Sequence, residues 1–111
     1  MKLTDAQQFV GDLGAGTFAN QLGAALSAVT QGAVAHGKTG KVVITLDIKR
    51  IGDSRQVNVS HKLAFTEPTG KGSRSEDTTS ETPMHLNLSG DVTLFATHTD
   101  QLFGLKQPQD A

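Results

Sequence analysis

The chain has no cysteine, tryptophan or tyrosine and only three prolines among its 111 residues, and neither sign of charge dominates. The absence of cysteine excludes a disulfide framework and every thiolate metal site, and it suits a cytoplasmic protein. With five phenylalanines as the only aromatics, the core is aliphatic, and few rings are available to stack bases or anchor an interface. Ten Lys and Arg against eleven Asp and Glu give a net charge of -1, which argues against a dedicated nucleic-acid binder. The opening residues, Met1 to Gln8, have no apolar core of the kind a signal peptide carries. Leu13 to Gly37 is uncharged and long enough to span a bilayer. Thr17, Asn20, Gln21, Ser27, Thr30 and Gln31 nevertheless give it a polar face, so a water-facing helix is expected and no membrane association.

The apolar period changes at Gly37-Lys38-Thr39-Gly40-Lys41. Upstream, Phe18, Leu22, Leu26, Val29 and Ala33 recur every three or four residues, the period of one helix face. Thr4 and Gln7 have capping-box spacing, and Asp5 favours a helix start. Gly14-Ala15-Gly16 is a weak point, so residues 4–36 read as one long helix or as two pieces broken there. In a continuous helix, Gly11, Ala15, Ala19, Gly23 and Ser27 would form a row of small residues that admits another backbone closely. That row either lies on the protein's own sheet or meets its twin in a homo-oligomer, with Phe18, Leu22 and Leu26 then on the sheet.

Downstream, Val42, Ile44, Leu46 and Ile48 alternate with polar or less buried positions, predicting a strand from Lys41 to Arg50. Ile51-Gly52-Asp53-Ser54 has turn chemistry, and Val57, Val59, Leu63 and Phe65 line one face of a second strand. Residues 67–83 contain no large apolar side chain, and a mobile polar loop is expected there, either a binding loop or a tolerated insertion. Met84, Leu86 and Leu88, then Val92, Leu94 and Ala96, predict a second, shorter hairpin around Ser89-Gly90-Asp91. The tail, 98–111, is polar apart from Leu102, Phe103 and Leu105. The expected fold is a single small α+β domain over 1–111. It has two layers, with an N-terminal helix packed on a four-stranded antiparallel sheet made of two hairpins.

Gly32-Ala33-Val34-Ala35-His36-Gly37-Lys38-Thr39 matches the P-loop pattern G-x-x-x-x-G-K-[ST] letter for letter. The mechanism behind that pattern needs a strand before the loop and a helix after it, so that phosphate meets a helix N-terminus. Here the order is reversed, and the match falls at a helix C-terminus whose carbonyls repel phosphate. Gly37 reads instead as the residue that ends the helix. Two roles remain for the nearby charges: solvated helix-end cations, or a small basic mouth for an anionic ligand. In the second, His36, Lys38 and Lys41 would be joined by Lys71 and Arg74 from the loop.

The histidines His36, His61, His85 and His98 fall on separate elements without metal-ligand spacing, so no metal is expected. His61 sits on the apolar face of its strand and reads as a hydrogen-bonded core or sheet-end residue rather than a base. The carboxylates Asp47, Glu67, Glu76, Asp77 and Glu81 are not held in pairs, and no serine or threonine has a nucleophile elbow or a base beside it. No catalytic residue, no cofactor and no enzyme activity are expected.

Phe9-Val10-Gly11-Asp12-Leu13, Leu22-Gly23-Ala24-Ala25-Leu26-Ser27-Ala28-Val29 and Gly37 to Ile48 together resemble small uncharacterised proteins encoded by bacteriophages and prophages. Those proteins share a leading helix, a GKxGK hinge and a β-hairpin ending near a proline, the place of Pro68 here. The resemblance spans about residues 9 to 68 and brings no functional residue with it. It implies an accessory protein of the host-cell cytoplasm that acts by binding, for example in counter-defence. The expected function is therefore non-catalytic binding by a homo-oligomer, with a host protein or a small anionic, nucleotide-like ligand as partner. A structural virion or assembly component is the alternative, and its mark would be persistence in purified particles. A nucleic-acid-associated replication accessory protein is the third reading, and its mark would be affinity that falls steeply with salt.

Overall fold

The period change at Gly37 is a change of element. In the computed structural model, which describes residues 1–95, α1 spans Ala6–Asp12 and α2 spans Thr17–His36, with a 3-10 turn, Leu13–Gly16, between them. Four strands follow: β1 (Lys41–Arg50), β2 (Gln56–Thr69), β3 (Gly72–Leu86) and β4 (Val92–Thr93). They form one antiparallel sheet in the order β1-β2-β3-β4, with the helices on one face. This is the expected α+β architecture. Ala96 and the 98–111 tail lie outside the described residues.

The helical segment is two pieces. Gly14 (φ 60°) and Ala15 (φ 55°) are left-handed, which ends α1 and redirects the chain into α2. Asp5, not Thr4, caps α1, its Oδ1 accepting from the N–H groups of Gln7 (3.1 Å) and Gln8 (3.2 Å). Thr4 is used elsewhere: its Oγ1 accepts from the Val92 N–H at 3.1 Å, and the Lys2 N–H donates to the Ser89 carbonyl at 2.7 Å. The N-terminal segment is thereby tied to the β3–β4 turn and to β4.

The break also dissolves the small-residue row. Gly11 precedes the redirection and Ala15 is part of it, so neither continues the helical row of Ala19, Gly23 and Ser27 on α2. Gly23 and Ser27 are exposed on the outer side of α2, which overturns the reading in which this row lies on the sheet. Phe18, Ala25, Val29 and Gly32 are the buried positions, spaced as one helix face.

The core lies between that face and β2. Leu13, Phe18, Ala25, Val59, Leu63 and Met84 are buried together, with Leu22, Val42, Val57 and Phe65 packed around them. Two glycines set the depth at which the helix end meets the sheet. A Cβ on Gly32 would lie 2.5 Å from the Pro68 carbonyl oxygen, and one on Gly40 would meet a Val29 methyl. Gly37 (φ 61°) ends α2 in the left-handed region, the role read for it in place of a P-loop.

Residues 67–83, expected as a mobile loop, are strand. Glu67, Pro68 and Thr69 finish β2, a tight turn at Gly70-Lys71 follows, and β3 pairs back along all of β2 from Thr69↔Gly72 to Gln56↔His85. The β-branched threonines suit a strand, and the ladder to β2 supplies the ordering that apolar side chains would otherwise give. Polar composition misled because β3 from Gly72 to Glu81 is a solvated strand, every residue of it exposed.

The depth argument yields two substitutions of opposite sign. Gly40→Ala is expected to destabilise by about 1–3 kcal/mol, the usual range for an overpacked site. Gly23→Ala, with nothing within 4 Å of the new methyl, is expected to stabilise by about 0.5–1 kcal/mol. Urea midpoints of the two variants read both.

Candidate functional site

Each strand places alternate residues on the helix face. The pairs Phe65 with Val42, Leu63 with Ile44, His61 with Leu46 and Val59 with Ile48 put one column from β1 beside one from β2. On the other side, Phe65 pairs with Glu76, Leu63 with Thr78, His61 with Ser80 and Val59 with Thr82. Helix α2 runs along β2, leaving flanking surface on both sides.

On the β3 side there is a groove of about 390 Å³, within the size range of small-ligand pockets. Leu63 and Phe65 form its floor, Ala24, Ala25 and Ala28 one wall, and Arg74, Glu76 and Thr78 the other. Arg74 lies over the Phe65 ring, 5.2 Å from its centre, and donates to Glu67 Oε1 at 2.7 Å and to Glu76. The hydrogen bond to Glu67, helped by the charge of Glu76, raises the Arg74 pKa above its already high ordinary value. Glu67 and Glu76 outnumber Arg74, and nearby Asp77 has its own partner in Lys62 at 4.0 Å, so the rim disfavours an anion.

The remaining predicted ligand residues gather only in part. His36 ends α2, and its ring lies 3.6 Å from where a Cβ on Gly70 would stand. Lys38 Nζ donates to the Thr69 carbonyl at 3.0 Å, and Lys71 is in the adjoining turn. His36, Lys38 and Lys71 therefore share the β2–β3 turn. Lys41 does not join them on the helix side: it pairs with Thr66, and its neighbours Val42 and Phe65 face the helix, so Lys41 faces away.

His61 is a structural residue, as its place on the apolar face implied. It is buried beside Phe18, the two rings edge to face at 5.2 Å, and its Nε2 lies 2.9 Å from Thr82 Oγ1. The same Thr82 oxygen accepts from the Gly14 N–H at 2.8 Å. One threonine hydroxyl thus joins β3, β2 and the break between the helices. Burial lowers the His61 pKa below its ordinary 6.5, because taking the ring out of water disfavours the charged form.

On the β1 side the surface is apolar and bare. Ile44 is 44% exposed, Leu46 40% and Ile48 62%, and Leu26 is half exposed on α2. Helix geometry puts Leu22 and Leu26 on the flank opposite Gln21, Ala24 and Ala28, hence toward β1. β1 is also the sheet's edge, so one side of its backbone is unpaired among the described residues. The alternation of these residues was visible in the sequence, but their exposure was not, because it depends on where α2 lies. Among the described residues no group of three His, Asp or Glu side chains can hold a metal ion, and no helix is long and apolar enough to cross a membrane.

These features describe a small α+β protein with one polar flank, one apolar flank and a bare sheet edge. The chain belongs to the YfdP family, whose model matches residues 5–92, from the α1 cap into β4. It is similar to the uncharacterised protein YfdP of Escherichia coli (strain K12), 37% identical over 107 residues that cover 96% of this chain and 88% of that protein. No solved structure matches.

The buried histidine gives a pH dependence of definite sign. Because its folded pKa is depressed, the unfolded chain takes up the proton first. His61 therefore contributes fully above 6.5, and that contribution is lost as pH falls through the folded pKa. The melting temperature is expected to fall between pH 7.5 and pH 5, and His61→Gln, which keeps a polar group near Thr82 but cannot titrate there, is expected to flatten that slope in thermal melts.

Proposed function

We propose that this chain is a non-catalytic binding protein that engages a protein partner along β1. The supporting observation is the contrast between the two flanks of α2. The flank over β3 carries Arg74, Glu76, Thr78 and Ser80, as a solvated surface should. The flank over β1 carries the exposed Ile44, Leu46 and Ile48 between the half-buried Val42 and a single charge, Arg50, at the strand's end, and an apolar strip of this kind, continuous with an unpaired strand edge, marks an interaction surface.

The setting implied by the sequence resemblance, a phage or prophage accessory protein of the host-cell cytoplasm that acts by binding, is part of this proposal. A small anionic ligand is the second reading, favoured by the convergence of His36, Lys38 and Lys71 on one turn. Arg74 contributes little to it, since Glu67 and Glu76 already meet its charge. A structural virion or assembly component remains the alternative, marked by persistence in purified particles, and residues 67–83, which are strand rather than a loop awaiting a neighbour, lend it no support.

A photo-crosslinking amino acid placed at Ile48 tests the protein-partner reading in bacterial cells. Defined protein adducts are expected at Ile48 and not at Val34, which is 80% exposed on the outer side of α2. Equal labelling at the two positions, or none at Ile48, would remove β1 as the binding surface. Loss of a co-purifying anion on Lys38→Ala with Lys71→Ala would favour the second reading instead.

A further inference from the structure

Resting on the reading of β1 as the binding surface, we infer that its occupant is a second copy of this chain, added as an antiparallel strand centred on Leu46. A two-fold axis perpendicular to the sheet keeps helix-face residues opposite helix-face residues, so the pairing is defined by the residue that meets itself. Centred on Leu46, Ile44 of each copy lies opposite Ile48 of the other, Thr45 opposite Asp47, Val43 opposite Lys49 and Val42 opposite Arg50. Three apolar positions then form one strip across the junction, and no like charges are opposed.

The neighbouring registers fail on charge. Moving the centre to Thr45 sets Lys41 against Lys49, and moving it to Asp47 sets that carboxylate against its own copy. Like charges directly opposite each other destabilise a strand pair. Centres at Ile44 and Ile48 oppose no like charges within β1, but they set Ile48 against Gly40 and Leu46 against Arg50 respectively, so the register that keeps all three apolar residues opposite one another is the one centred on Leu46.

The helices leave room for this pairing. With strands about 4.8 Å apart, the two β2 strands would be about 14 Å apart, enough for helices about 10 Å across to lie side by side. Ile48 of the second copy comes to lie beside Ile44, near the Leu22–Leu26 flank of α2. That covers the most exposed member of the strip, and the result is one sheet running through both copies.

The opposite side of the sheet has no comparable offer. The outer edge of β3 presents Arg74, Glu76, Asp77, Glu81 and Pro83 along its length, the charges and proline that keep strand edges from pairing. β4 is two residues long and tied to the N-terminal segment.

Sedimentation equilibrium and single-cysteine scanning test the inference together, and the chain has no native cysteine to interfere. The full-length protein is expected at twice its 11.7 kDa chain mass, and Leu46→Lys is expected to return it to monomer with an unchanged circular dichroism spectrum. Under mild oxidation Leu46→Cys is expected to give a disulfide-linked dimer, while Thr45→Cys and Asp47→Cys, the self-pairs of the other registers, stay monomeric on a non-reducing gel. A monomeric wild type, or a dimer that survives Leu46→Lys, overturns the inference, and linkage at 45 or 47 overturns the register. A monomer that still gives Ile48 adducts to another protein removes the second copy while leaving the protein-binding reading intact.

Discussion

One helix is too narrow and too short for the sheet it covers, and the surface chemistry of the molecule follows from that mismatch. A helix is about 10 Å across, roughly the span of two inter-strand spacings, so a helix seated on a central strand leaves the strands beside it half covered. The twenty residues of α2 reach about 30 Å, whereas the fifteen of β3 extend about 50 Å. α2 follows β2 from His61 to Pro68, and α1 with the 3-10 turn extends the cover toward Val59 and Met84. The Thr82 hydroxyl, bonded to both His61 and Gly14, holds that second piece in place. Ala15 sits left-handed at this point without being glycine, a conformation that costs about 1–2 kcal/mol, and the buried Leu13 and Phe18 on either side offset it.

What was legible in the sequence was whatever rests on local period. The helix from Phe18, the hinge, β1 and the apolar stretch of β2 each carry a repeat of 3.6 or 2, and each formed as read. β3 carries no such repeat between Gly72 and Glu81, because both of its faces meet water there. Its strand character comes from pairing with β2, a relation between positions far apart that no local pattern expresses. The break at Gly14-Ala15 was half legible: the glycines marked a weak point, but its geometry depends on Thr82, 68 residues away.

The candidate sites divide in the same way. Helix-end chemistry put His36 and Lys38 at one local cap, and from there both reach the β2–β3 turn. Arg74 was read as a free cation because composition shows only that it is basic. Its pairing with Glu67 across the β2–β3 ladder and its stacking on Phe65 depend on register. The apolar residues of β1 were legible as a strand face but read as core, because sequence cannot say that the covering helix ends one strand short.

That shortfall is informative because the protein manages its other open edge. β3 shows that this sheet can present a long solvated strand safely, by placing charge on both faces. β1 has charges too: Lys41, Asp47 and Lys49 lie on the face away from the helix, and Arg50, at the strand's end, shares the face of Ile44, Leu46 and Ile48. They do not shield the apolar strip. They limit which registers a second strand can adopt, since a shift by one residue brings lysine to lysine or aspartate to aspartate. Charges that only guarded against aggregation would serve equally well on the apolar face, as they do on β3. With Asp47 and Lys49 on the back of the sheet and Arg50 only at the strand's end, the edge beside Ile44, Leu46 and Ile48 stays open to pairing while its registers are restricted.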